Sequence, residues 1–166
     1  MTKQSQCIHY THHKVMTVYF LNVFTAVAKR YGLTAASTMA AEETRANSDL
    51  LVEWRHDTNP PSSDHPERGS HIIRHPKDLL VSAYYYHLRT HESWCHEIPS
   101  PYDCVPEGQS YQQVLQAHDL EQGLMFELVG STGRTLRHFA QWRYDLPNIM
   151  QLRYEDVLGN ERATFE

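Results

Sequence analysis

Apolar positions along the chain change their period several times, and each change marks an element. Residues 6–10, Gln-Cys-Ile-His-Tyr, predict a short strand. Residues 18–31 then place Phe20, Val23, Phe24, Val27 and Tyr31 on one face of a helix. Continuous apolar runs at residues 49–54, 70–73 and 147–152 predict three more strands. After the run ending at Ile73, Pro76 stands where a first helical turn tolerates proline, and Leu80, Ala83, Tyr84, His87 and Leu88 form one helical face. Ser110-x-x-Gln113 and Asp119-x-x-Gln122 have capping-box spacing and open two helices. A glycine break is expected over residues 130–133, then a helix over 134–144, and a last helix starting near Glu161. Residues 32–47 are expected to be loop with at most a short helix, and residues 59–66 and 98–108 are proline-rich loops. Strands alternating with helices predict an α/β fold, a parallel β-sheet flanked by helices.

Composition narrows the functional classes. A chain of 166 residues corresponds to a single domain, 1–166. It is long enough to bury roughly two-thirds of its unfolded surface without a metal or disulfide staple. The formal charge of −5 excludes a broad nucleic-acid grip, which needs many Lys and Arg, so no nucleic-acid partner is expected. Cys7, Cys95 and Cys104 are odd in number and lack redox or zinc spacing, which fits a reducing compartment. With no apolar run near about 20 residues and no signal-peptide pattern, neither a membrane span nor secretion is expected, and a cytoplasmic location is.

The chemistry concentrates at two strand-to-helix turns. Arg74 leaves the end of a predicted strand and Ser82 follows on the next helix, which puts a guanidinium and a hydroxyl at the carboxyl edge of a sheet, where open α/β folds bind ligands. Upstream, Thr11-His12-His13-Lys14-Val15-Met16-Thr17 joins the first strand to the first helix, and a basic turn at a helix amino terminus is a cradle for phosphate. Both point to an anionic ligand.

The segment Arg74-x-Pro76-Lys77-Asp78, with Val81-Ser82 and then Tyr84-Tyr85-Tyr86, resembles the 3′-phosphate-binding segment of sulfotransferases that use 3′-phosphoadenosine 5′-phosphosulfate (PAPS). The first turn resembles that family's 5′-phosphosulfate loop, Pro-Lys-x-Gly-Thr-Thr-Trp. Lys14 falls on its lysine, Thr17 on its first threonine and Tyr19 on its aromatic residue, while Met16 occupies the glycine position and Val18 the second threonine position. Arg153-Tyr154-Glu155-Asp156-x-Leu158 resembles a strand-end motif found late in the family. The resemblance implies a P-loop-like sulfotransferase fold that binds PAPS and moves its sulfuryl group to a hydroxyl or amine without a metal. It also implies cofactor contacts from Lys14, Val15, Met16, Thr17, Val18, Tyr19, Arg74 and Ser82, with Lys14 catalytic as well. His56 falls on the histidine that takes the acceptor's proton in cytosolic members, and Glu53, Asp57, His13 and Glu92 compete for that role. The family continues beyond the position of Glu166 with a loop that closes over the nucleotide, so a shortened or degenerate member is implied, and an inactive nucleotide-binding or interaction module of the same fold is the alternative.

The acceptor stays open among small molecules, carbohydrates and lipids, and the oligomeric state is not legible. Tyr85, Tyr86, Trp94 and Tyr102 are either walls of an acceptor pocket or ordinary core. His87, His91 and Cys95 recur at i, i+4 and i+8, but no His-Glu-x-x-His motif accompanies them, so no zinc site is expected.

Overall fold

The computed structural model describes residues 6–38, 47–54, 68–160 and 164. Its strands are β1 (Cys7–Thr11), β2 (Ala35–Thr38), β3 (Leu50–Trp54), β4 (Arg68–Ile73) and β5 (Ile149–Arg153). They form one sheet in the order β2-β3-β1-β4-β5, and every pairing is parallel. The α/β class with a parallel sheet flanked by helices is therefore the observed one.

Its connections change direction beside β1. From β1 the chain passes through α1 (Thr17–Tyr31) to the edge strand β2, comes back to β3 beside β1, and then opens the other side of β1 with β4. The connection after β1 runs one way along the sheet and the one after β4 runs the other way. They diverge at the carboxyl ends of β1 and β4, the position at which open parallel sheets take ligands.

The chain divides into two compact units, one holding the sheet and ending at His75 before resuming at His138, the other running from Pro76 to Arg137. In the sheet unit, parallel register gives the two faces different neighbours. Ile8, Tyr10 and Leu51 pack with Trp142, Leu146 and Ile149 on one face, while His9 on the other stacks on Phe20 of α1 at 3.5 Å. Gly69 lies opposite Ile8, and a Cβ there would collide with the Ile8 carbonyl, so close pairing of β1 and β4 demands glycine.

The second unit contains α2 (Pro76–His87), a 3₁₀ turn (Ser93–Cys95), α3 (Tyr111–Ala117), α4 (Leu120–Val129) and the start of α5 (Ser131–Gln141). Its core is aromatic: Tyr84, Tyr111 and Leu115, with Trp94, Tyr102 and Phe126 packed around them. Beneath lies a polar knot in which buried Glu127 accepts from His87 Nδ1 and from the Thr132 hydroxyl, 3.0 Å away. Ser110 closes the expected capping box at α3, and Asp119 caps α4 through Gln122 N–H.

Several expectations are corrected. Residues 35–38 form β2, hidden in the sequence because Ala-Ala-Ser-Thr offers little apolar signal, although they hydrogen-bond along β3. On α1 the buried positions are Phe20 and Ala28, whereas Val23 and Tyr31 are exposed. On α2 the buried residue of the first turn is Leu79 rather than Leu80. The glycine break shrinks to Gly130 alone, because its carbonyl already accepts Arg134 N–H and α5 starts at Ser131, whose N–H is held by the Tyr111 hydroxyl. A further helix, α6 (Tyr154–Gly159), follows β5 directly where none was expected, while the helix expected to start near Glu161 falls largely outside the described residues, of which Thr164 is helical.

Candidate functional site

Two turns of the sheet unit meet beside the carboxyl end of β1. In the β1–α1 turn the Val15 side chain is fully buried, and Lys14 (φ 61°) and Met16 (φ 55°, ψ 21°) both hold left-handed backbone although neither is glycine. A side chain resists that conformation, so the surrounding bonds must enforce it. Val15 N–H donates to the His12 carbonyl at 3.3 Å, the Thr11 hydroxyl donates to the Val15 carbonyl at 2.7 Å, and the Thr17 hydroxyl donates to the His12 carbonyl at 3.2 Å. The result is a tight turn that leads into the amino terminus of a 15-residue helix, an arrangement that favours anions through backbone N–H groups and the helix dipole.

The second turn follows β4. Arg74 donates from one terminal nitrogen to the Lys14 carbonyl at 3.1 Å, and its guanidinium lies 4.1 Å above the Tyr154 ring at the head of α6. The Arg74 Nε is buried and lacks a hydrogen-bond partner among the described residues. Next to it, His75 N–H donates to the Glu155 carboxylate at 2.8 Å. The β5–α6 junction thus holds the Arg74 turn, and the late Arg-Tyr-Glu-Asp motif has a use that sequence reading missed. Arg74 and the Tyr154-Glu155 pair come level only because β4 pairs with β5 and Ile73 lies opposite Arg153.

The other sequence candidates distribute as follows. Thr17 faces the turn and touches the Thr11 hydroxyl at 3.1 Å, and Tyr19 packs edge-on to Phe20. Val18 is 68% exposed. Ser82 is half-buried on α2 and belongs to the second unit. His56 and Asp57 lie outside the described residues. Among the alternatives to His56, Glu53 is buried near the end of β3, opposite Tyr10 of β1. Glu92 is engaged by the Tyr86 hydroxyl at 2.7 Å and the Trp94 indole at 2.6 Å, and His13 is half-buried on the first turn. Of the aromatic residues, Trp94 and Tyr102 pack against the second unit's core and Tyr85 is exposed. Cys95 is buried with its thiol pushed up to about 12, chiefly by burial, and His87 Nδ1 is bonded to Glu127. No cluster of three or more metal-ligating side chains occurs among the described residues. None of the helices among them is long and apolar enough to cross a membrane.

Sequence reading also missed a buried histidine group behind the first turn. His12 Nε2 meets His71 Nε2 at 2.9 Å, His71 Nδ1 meets Gln151 Oε1 at 2.9 Å, and His9 Nδ1 meets the Ser70 hydroxyl at 2.8 Å. For His9 and His71 the predicted strands at residues 6–10 and 70–73 were the available signal, since histidines inside buried strands must find partners. Burial, and the nearness of His71, lower His9 to about 3. Burial lowers His71 to about 4, with the Gln151 hydrogen bond opposing. In the unfolded chain both titrate near about 6.5. Between about pH 6.5 and about pH 4 the unfolded chain therefore binds more protons, so stability is complete above that window and drains as pH falls through it. The expected slope is up to about 1.4 kcal/mol per pH unit for each histidine, read from urea midpoints between about pH 7 and about pH 4. His9→Phe should remove one proton's share of the slope, and midpoints independent of pH would contradict the assignment.

No family model, curated protein or solved structure matches the chain.

Proposed function

We propose that the chain binds PAPS at the carboxyl edge of its sheet and transfers the sulfuryl group to a hydroxyl or amine acceptor. The observation that carries this reading is the backbone of the β1–α1 turn. Met16 holds the left-handed conformation that glycine supplies in the sulfotransferase loop it resembles, at the head of a long helix and beside Arg74. The departure at the glycine position therefore changes a side chain and leaves the needed backbone intact. The Arg74 guanidinium, with Nε unmet, suits a phosphate because it offers several N–H donors in a fixed fork.

In the proposed reaction the acceptor oxygen or nitrogen forms a bond to sulfur as the bond from sulfur to the 5′-phosphate oxygen breaks. The electron pair leaves on that oxygen, giving 3′-phosphoadenosine 5′-phosphate (PAP), and the acceptor's proton passes to His56. Lys14 and the N–H groups of residues 16–19 balance the charge growing on the leaving phosphate, which is electrostatic stabilisation of the oxyanion kind. Nucleotide binding holds the sulfur in line for attack. No step calls for a metal.

A second reading has its own observation. Val18 presents a largely exposed isopropyl group where the sulfotransferase loop carries a threonine hydroxyl. A nucleotide-binding module that has lost transfer would look like this. Incubation with radiolabelled PAPS and a panel of phenol, sugar and lipid acceptors separates the two, since transfer of label supports the enzyme and PAP binding without transfer supports the module. His56→Ala is expected to lower transfer by about 10²–10⁴-fold, the usual contribution of a general base. Unchanged transfer would move that role to another group, with buried Glu53 next in line.

A further inference from the structure

Left-handed backbone at Lys14 and Met16 persists only if something fixes the turn from outside. The hub of that turn is His12. Its carbonyl accepts both Val15 N–H and the Thr17 hydroxyl, so two of the bonds that close the turn end on one peptide group. Its imidazole is only 2% exposed and meets Phe139 edge-on, with ring centroids 4.9 Å apart, near Trp142 and His138. His12 Nε2 then joins His71 on β4, and His71 joins Gln151 on β5. The turn's central peptide is thus tied to two strands beyond β1.

The protons in this chain are fixed by its far end. The Gln151 amide nitrogen donates to the Ile149 carbonyl at 3.5 Å, which leaves its oxygen on His71. His71 Nδ1 must therefore carry a proton and donate it. Neutral His71 has a lone pair on Nε2, and His12 Nε2 supplies the proton between the two rings. A second proton there would set N–H against N–H in a buried site.

We infer that His12 is a positioning residue that, through His71 and Gln151, holds the β1–α1 turn in its anion-binding backbone and does so only while a single proton lies between the two facing nitrogens. This role rests on the proposed reading of the turn as a phosphate cradle. The groups packed around the pair are His138, Phe139 and Trp142 from α5 and the segment after it, Tyr144 at 6.0 Å from His71, and Gln151 from β5. His9 on β1 couples to His71 electrostatically, and Tyr10 and Glu53 follow His71 across the same sheet face. The depressed His71, neutral at ordinary pH, agrees with this proton arrangement.

The test compares amide hydrogen exchange and PAP titration in the whole chain and in two variants. His12→Phe keeps a ring against Phe139 and Trp142 but has no proton to give, and His12→Gln restores a donor. His12→Phe should speed exchange of Val15 N–H by about tenfold or more while Cys7 N–H, bonded to Asp49 within the sheet, stays unchanged. His12→Gln should return Val15 most of the way, and PAP affinity should follow Val15 in both. If Val15 responds but the unaltered chain binds no PAP, the positioning role stands and the phosphate-cradle reading fails. If PAP binds but Val15 exchange is the same in His12→Phe, or if Cys7 accelerates equally, the positioning role is overturned and the cradle reading survives. Should His12→Phe not fold, Gln151→Leu takes its place, because Gln151 is exposed on β5. Imidazole nitrogen spectra should then show His71 losing its fixed Nδ1–H form, and retention of that form would overturn the inference.

Discussion

Glu127→Ala is expected to lower folding stability by about 3–5 kcal/mol, the range for removing one partner of a buried hydrogen-bonded ionisable pair. Glu127 is fully buried in the helical unit and accepts from both His87 Nδ1 and the Thr132 hydroxyl. Alanine removes the acceptor shared by both donors and leaves a cavity near Tyr111, whose hydroxyl already accepts Ser131 N–H. With a urea slope of about 2 kcal/mol per molar, the midpoint should fall by about 1.5–2.5 M. Thr132→Ala removes a donor rather than the shared acceptor, so its cost should be about 1 kcal/mol. A loss below about 1 kcal/mol for Glu127→Ala would show that the helical unit does not depend on this knot.

Arg74→Ala should weaken PAP binding by about 30- to 3,000-fold, equivalent to about 2–5 kcal/mol for one partner of a desolvated charge pair. Arg74 is held in place before any ligand arrives: Tyr154 lies under its guanidinium, the Lys14 carbonyl accepts one terminal nitrogen, and Glu155 fixes the next peptide. Such preorganisation is why the loss should fall on affinity more than on folding, for which the missing cation–π contact is worth about 0.5–2 kcal/mol. Arg74→Lys keeps the charge but cannot both lie flat on Tyr154 and present a fork of donors, so it should recover only part of the affinity. Affinity for Arg74→Ala within about threefold of the unaltered chain would remove Arg74 from the site.

Where apolar runs were long or punctuated by proline and caps, the fold was legible. β1, β3, β4 and β5, the proline start of α2 and the Ser110 cap all stand close to where the pattern puts them. β2 was not, because four small residues at a sheet edge are fixed by pairing with β3 and not by their own preference. The α1 stripe was misjudged at Val23 and Tyr31, where a 3.6-residue period cannot tell which edge of an apolar face turns to the sheet. At the site, Lys14 and Arg74 were legible as residues, but their mutual contact was not, since 60 positions separate them. The histidine chain escaped because His9, His12 and His71 carry no motif and gain meaning only when parallel register sets β4 beside β1. Met16 looked like a flaw in the sequence, and its left-handed backbone shows how a turn enforced by neighbours admits a side chain where glycine is usual.

The central claim is that the carboxyl edge of the sheet beside β1 recognises an adenosine bearing a 3′-phosphate. Calorimetric titration of the whole chain with PAP and, separately, with ATP addresses it directly, because the two ligands share the adenosine and differ in where the phosphates sit. The account predicts saturable PAP binding at least about tenfold tighter than ATP, a difference of about 1.4 kcal/mol. Equal affinity for the two, or no heat from PAP, would contradict it.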